Sequence, residues 1–203
     1  NQIIFLIYES NVIMDKLRFK LYICTCVFAY SLFSSFSYIE AQEQVQNSLV
    51  NANEEIRGEF GNWLQICVKD TPQCVAVQFA LDIQGNRAGR FVLERLPANT
   101  ESAADSVITF FIPFEASIPI LPNGLSFTID SNAPFTEQFL FCDQLGCTSQ
   151  FGMTSEGMLL LREGANITIQ IIDVRYPDSR YIMDLDLDQF MDIYQKLGKE
   201  GLN

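Results

Sequence analysis

Asp184, Asp186 and Asp188 stand on alternate residues of the run Asp184-Leu185-Asp186-Leu187-Asp188, the spacing with which a calcium-binding loop begins. Such a loop needs glycine at its sixth position for a sharp turn, and Gln189 stands there instead. Read as a strand, the same alternation puts the three carboxylates on one face and Leu185 and Leu187 on the other. The expected role is then a solvated face that discourages edge pairing. A pair of carboxylates could also serve as acid and base on a glycoside if held ~5 to 9.5 Å apart beside a cleft. No spacing in the sequence singles out such a pair.

Cysteine is the other residue type with chemistry of its own. Beyond Cys24 and Cys26, which fall in an apolar leader, the chain carries Cys67, Cys74, Cys142 and Cys147. Neither C-x-x-C spacing nor imidazole accompanies them, which argues against zinc, and a redox pair would need a short motif at a helix N-terminus. Four cysteines in an exported chain imply two disulfides. The spacing favours Cys67 to Cys74 and Cys142 to Cys147. Each pair brackets a turn, Asp70-Thr71-Pro72 or Gln144-Leu145-Gly146, that brings strand ends within the ~5.5 Å Cα separation of a disulfide.

The chain has no histidine, so a Ser-His-Asp triad, a Cys-His pair, a His-ligated metal and an imidazole pH switch are all excluded. No catalytic residue, no metal ligand and no cofactor site is nominated, and no ligand-binding residue stands out. Asn166-Ile167-Thr168 fits the N-glycosylation pattern but falls at the start of a predicted strand. Thirteen Lys and Arg against 25 Asp and Glu give a net charge of −12. That charge disfavours nucleic acid or anionic lipid as a partner, since both demand basic side chains.

The elements that must carry these residues follow from the pattern along the chain. Lys16, Arg18 and Lys20 precede an apolar stretch from Leu21 to about Phe36, and polarity jumps after Ala41. Residues 1–41 therefore read as an upstream segment and a signal peptide, with cleavage after Ala41 and an exported product in the periplasm, at the cell surface or secreted. Residues 1–13, ahead of Met14, read as an artefact of the start site. The leader holds three acids (Glu9, Asp15, Glu40) and three bases, so its removal leaves the charge at −12. Residues 42–57 are polar and read as a linker or weak helix, and residues 58–198 as the folded domain.

In that domain short apolar runs alternate with Gly, Pro and Asn every eight to twelve residues, the mark of an all-β fold. The predicted strands are residues 62–68, 74–82, 90–96, 107–114, 125–130, 138–143, 148–153, 166–174 and 180–187. The expected architecture is an antiparallel β-sandwich or flattened barrel with one short C-terminal helix. Gly85 and Asn86 can take positive φ and set a hairpin, whereas Pro119 and Pro122 mark an extended connection. Residues 155–162 suit a short helix or a strand. Residues 188–197 suit a helix capped by Asp188, with Phe190, Ile193, Tyr194 and Leu197 on one face. Phe110, Phe111, Phe135, Phe139 and Phe141 are expected in the core.

The order of several short motifs then becomes informative. Phe60-Gly61-Asn62-Trp63, Cys67 and Cys74, Ile112-Pro113-Phe114, Leu121-Pro122-Asn123-Gly124-Leu125, Ile129-Asp130, Cys142 with Gly146-Cys147, and a last strand and helix with Phe190 follow one another. This succession resembles the invasion-associated locus B family. The resemblance implies an exported alphaproteobacterial protein. The family's founding members, in Bartonella, are associated with invasion of erythrocytes and other host cells, so the implied partner is a host cell-surface component. It carries no catalytic residues across. A periplasmic structural or assembly factor and a carboxylate-based hydrolase are the alternatives.

Overall fold

The computed structural model describes residues 51–97 and 103–200. The expected leader, residues 1–41, and the first part of the expected linker lie outside the described residues. The strands, in chain order, are β1 (Glu54–Phe60), β2 (Trp63–Val68), β3 (Cys74–Asp82), β4 (Arg87–Arg95), β5 (Ala104–Pro113), β6 (Leu125–Ile129), β7 (Phe135–Glu137), β8 (Phe139–Cys142), β9 (Gly146–Thr154), β10 (Asn166–Ile171) and β11 (Tyr181–Asp186). Helix α1 (Ser155–Glu163) lies between β9 and β10, and α2 (Phe190–Glu200) follows β11.

Alternation makes the strands. In β5, Ser106, Ile108, Phe110 and Ile112 are buried while the residues between them are partly exposed, and in β10 Ile167, Ile169 and Ile171 turn inward. All pairings are antiparallel, in the order β7-β6-β10-β11-β3-β4-β5-β9-β8, with β2 also paired to β3 and β1 to β2. Strands β7 and β8 stand at opposite ends of this order, yet only Gln138 separates them in the chain. The Gln138 carbonyl accepts a hydrogen bond from Ser149 Oγ of β9 at 2.8 Å. One sheet thus curls until its ends meet, giving a nearly closed, flattened barrel.

Strand β3 is where the sheet forks. Its residues 74–77 pair with β2, and further along the same edge Leu81 and Asp82 pair with β11. The β3–β4 hairpin beyond the fork is set by Asp82, whose carboxylate accepts from the Gln84 and Asn86 backbone N–H groups, both at 2.9 Å. Gly85 takes φ 83°; Asn86, expected to share that role, does not.

The core is a file of aromatic rings. Phe190 of α2 leans on Trp63 at 5.4 Å, Trp63 meets Phe91 edge-on at 5.7 Å, Phe91 meets Phe110 at 6.5 Å and Phe110 meets Phe127 at 5.8 Å. All five rings are fully or almost fully buried. Gly89 makes the packing possible, because a Cβ there would lie 2.4 Å from the Phe110 ring.

Several expectations need correction. Residues 54–57, expected in the linker, form the start of β1, whose half-buried and polar positions blur the period of two. The three-residue β7 is too short to show a period. Residues 155–162, left open between helix and strand, are in α1, where the Thr154 hydroxyl accepts from the Gly157 N–H at 3.3 Å. The barrel thus carries two helices, not one. In α2 the capping position falls on Gln189, whose carbonyl accepts from the Asp192 and Ile193 N–H groups, and not on Asp188. The Asp188 N–H itself donates to Asp186 Oδ1 at 2.6 Å, which draws the chain into its turn one residue later than expected.

Of the five phenylalanines expected in the core, Phe110 is fully buried, Phe111, Phe135 and Phe139 are half-buried, and Phe141 is exposed. A bulge in β8 is the reason for Phe141. Phe139 pairs with Ser149 and Phe141 with Thr148, leaving Leu140 as the extra residue. A one-residue slip of this kind turns the following side chain to the other face.

Cys67 is bonded to Cys74 and Cys142 to Cys147, each pair directly opposed across a strand ladder, with Cα separations of 4.0 and 4.1 Å. Both close loops of fewer than ten residues, so chain entropy assigns each about 2 to 3 kcal/mol. Replacing both cysteines of either pair by serine is expected to lower the denaturation midpoint accordingly. Urea melts of the two double variants check this, and a midpoint unchanged in both would show that the bridges do not stabilise the fold.

Candidate functional site

The outer face at the fork carries the densest group of polar side chains. Asp184 and Asp186 point outward from β11, with Leu185 buried between them. Asp184 Oδ1 accepts from Thr168 Oγ1 at 2.7 Å and from Asn166 Nδ2 at 3.3 Å, both on the neighbouring β10. Asp186 accepts from Asn62 Nδ2 at 3.1 Å, from across the fork, and from the Asp188 N–H. The predicted solvated strand face is therefore a laced one: its carboxylates are held by neighbours. Among the described residues no group of three or more Cys, Asp or Glu is placed to hold a metal ion.

These carboxylates border a groove of about 660 Å³ whose remaining lining comes largely from the neighbouring β3 and β4, where Leu81 is paired with Asp184 on one side and Arg87 on the other. There the Arg87 guanidinium lies over the Phe79 ring, 4.4 Å from its centre, a cation–π contact that fixes the side chain flat against the sheet. Leu81 and Ile83, both exposed, form an aliphatic rim. Asp82, at the hairpin end, has its carboxyl held below the usual range, chiefly by the Asn86 backbone N–H. Tyr181 is pushed up, mainly by burial and then by the nearby Asp82 charge. Sequence reasoning missed Asn62, Phe79 and Arg87, because β2, β3 and β4 meet β11 only through the fork. Asn166 was visible only as a glycosylation pattern.

A second polar cluster is internal. Asp173 is buried and accepts from Ser117 Oγ at 2.6 Å, the Ile118 N–H at 3.1 Å, the Arg175 N–H at 2.7 Å and Arg175 Nε at 2.9 Å. Arg175 also reaches the Ala116 carbonyl at 3.0 Å. The Arg175 guanidinium holds the Asp173 carboxyl far below the usual range. With the bridge between Pro119 and Asp173, this cluster ties the extended connection to the segment after β10. Its groups are satisfied by one another, which makes it a structural clasp.

The third feature is apolar. At the tip of the β8–β9 hairpin, Leu140, Phe141 and Leu145 are 61%, 51% and 72% exposed. The Cys142–Cys147 bridge and the Asp143 carboxylate, which accepts from the Leu145 and Gly146 N–H groups, hold the tip in one shape.

The family whose profile is described as Invasion associated locus B (IalB) protein matches residues 63–198, well over half of the chain. The chain belongs to this family. The IalB span runs from the first residue of β2 into α2, so it takes in the fork, the clasp, the hairpin tip and all of the groove except Asn62. Among solved structures the fold is similar to the crystal structure of invasion associated protein b from Bartonella henselae. That match has a TM-score of 0.58 at 15% identity and covers 72% of this chain and 98% of that one. No curated protein matches the chain in sequence. The shared fold is thus the nearly closed IalB barrel, carried on a sequence that has diverged widely from this neighbour.

Proposed function

We propose that this protein is an exported, non-enzymatic factor that contributes to invasion of host cells, erythrocytes among them, by binding a host cell-surface component. The observation that carries this reading is the IalB profile match across the whole barrel from β2 to α2. The chemistry agrees with it. With no histidine in the chain, acid–base work near neutral pH would fall to strongly shifted carboxylates, lysines or tyrosines, and the four cysteines of the barrel are engaged in bridges. Binding needs only a fixed surface, which a cross-linked barrel supplies. Two disulfides also suit an oxidising compartment outside the cytoplasm.

Deleting the gene is expected to lower invasion of host cells while growth in broth stays normal, and the purified protein is expected to adhere to the cells it helps invade. Invasion counts, growth curves and a cell-binding assay check this. A growth or envelope defect without loss of invasion would point instead to a periplasmic structural or assembly role. Turnover of a glycan, ester or peptide that one Asp or Glu substitution abolishes without unfolding would identify a hydrolase.

A further inference from the structure

We infer that the groove at the fork of the sheet is a binding site for a neutral, polyhydroxylated ligand, a saccharide unit of a host glycan. This deepens the binding reading above and rests on it. Arg87 stacks on Phe79, and among the described residues its N–H donors form no ion pair or hydrogen bond with the carboxylates that share its groove. Asn166 and Asn62 direct their amide N–H₂ groups into Asp184 and Asp186. That fixes the orientation of both amides and leaves their carbonyl oxygens, with Asp184 Oδ2, as acceptors. Arg87 thus offers donors, and Asp184 with the two amide carbonyls offers acceptors.

A ligand that spans Arg87 and Asp184, which flank Leu81 on three neighbouring strands, must both accept and donate. A sugar hydroxyl does both at a single atom, and neighbouring hydroxyls can bridge a guanidinium and a carboxylate. Its C–H faces suit the aliphatic rim of Leu81 and Ile83, the latter 80% exposed. Charge disfavours an anion. An anionic ligand would meet Asp82, Asp184 and Asp186 on a protein of net charge −12. A lysine-rich peptide is the rival that three carboxylates against one guanidinium leave open, and the test sets it directly against the glycan.

The groove is also stiffened from behind, as a site that gains affinity from preorganisation should be. Asp184 is braced by Thr168 and Asn166, Asp186 by Asn62 and the Asp188 N–H, and Arg87 by the Phe79 ring.

The test uses the purified chain against an array of neutral oligosaccharides built from hexose and N-acetylhexosamine units, with titration calorimetry on those that bind. Octalysine and a sialylated oligosaccharide serve as charged comparators. Binding to at least one neutral glycan is expected. Affinity should fall about tenfold or more in each of Arg87→Ala and Asp184→Ala, since each removes charge-assisted hydrogen bonds. It should be unchanged in Leu145→Ser, at the hairpin tip. Arg87→Lys, which keeps the charge but loses the planar fork, should also bind weakly. Circular dichroism of each variant establishes that it folds. Neutral-glycan binding that Arg87→Ala and Asp184→Ala leave intact would overturn the inference, as would binding of octalysine alone. The broader reading fails separately, if the wild-type protein adheres to no host cell. If it adheres, but periodate oxidation of cell-surface glycans and Arg87→Ala both leave adhesion unchanged, the groove is refuted while the binding role stands.

Discussion

Replacing Phe190 by alanine is expected to cost about 3 to 5 kcal/mol of stability, because it removes a fully buried ring and leaves a cavity that its neighbours cannot close. The ring is 5.4 Å from Trp63 and 5.8 Å from Tyr194, and with Ile193 and Leu197 it fastens α2 to the barrel. Trp63 is the chain's single tryptophan, so the emission comes from one site, where the indole meets Phe190 and Phe91. The variant is expected to show red-shifted emission even before denaturant is added, as water reaches the indole, together with a lower urea midpoint. A loss below about 1 kcal/mol with unchanged emission would mean that α2 does not seal the core. Ile193→Val, with an expected cost of about 0.5 to 1.5 kcal/mol, tests the same seam should the larger truncation fail to fold.

That the helix could be anticipated at all follows from the spacing of Phe190, Ile193, Tyr194 and Leu197, since a helical period survives whatever the sheet does. The long strands were legible for the matching reason. In β10 the inward Ile167, Ile169 and Ile171 alternate with Asn166, Thr168 and Gln170, so the period of two stands out, and in β5 the apolar run is long enough to mark a strand by itself. The disulfides were legible because both pairs flank short turns. What could not be read was set by contacts between distant elements. The bulge at Leu140 that expels Phe141 is a matter of register between β8 and β9, and register does not show in a strand only four residues long. The curl of the sheet depends on β7 and β8 pairing with opposite ends of the strand order while Gln138 alone separates them in sequence. A sandwich and a flattened barrel share the same strand pattern up to that point.

The candidate site illustrates the same limit. Asp184, Asp186 and Asp188 were visible as a row, and the predicted outward strand face holds for the first two, whereas Asp188 lies past the end of β11 in the turn before α2. Their partners were not visible. Asn62 lies 124 residues from Asp186, and Arg87 enters the groove only because β11 takes over the edge of β3 where β2 departs. A row of acids on an isolated strand is merely solvated. Placed at a fork, two strands from an arginine fixed on an aromatic ring, it becomes part of a groove lining that both donates and accepts.

Asp173 gives the second large effect, and one that depends on pH. Asp173→Asn is expected to lower stability by about 2 to 4 kcal/mol at neutral pH, because breaking a buried ion pair strands its partners and removes hydrogen bonds to a charged acceptor. The lower part of the range for such pairs applies because the Arg175 side chain is 44% exposed and can be rehydrated, while the Asp173 side chain is only 3% exposed. The Asp173 carboxyl is held down in the folded state by the Arg175 guanidinium, in spite of burial, and helped by Ser117 and the Arg175 and Ile118 N–H groups. An unfolded aspartate takes up its proton near pH 4. As pH falls below about 4 the unfolded chain therefore binds this proton first, and the contribution of Asp173, full above about pH 5, is lost progressively toward the lower folded value. The stability gap between the wild type and Asp173→Asn should accordingly be constant from about pH 5 to 8 and narrow at pH 3. Urea melts of both proteins across that range measure it directly, and comparing the two cancels the other carboxylates. A gap of equal size at pH 3 and pH 7 would show that shape and hydrogen bonding, not charge, hold the clasp between residues 116–119 and 173–175.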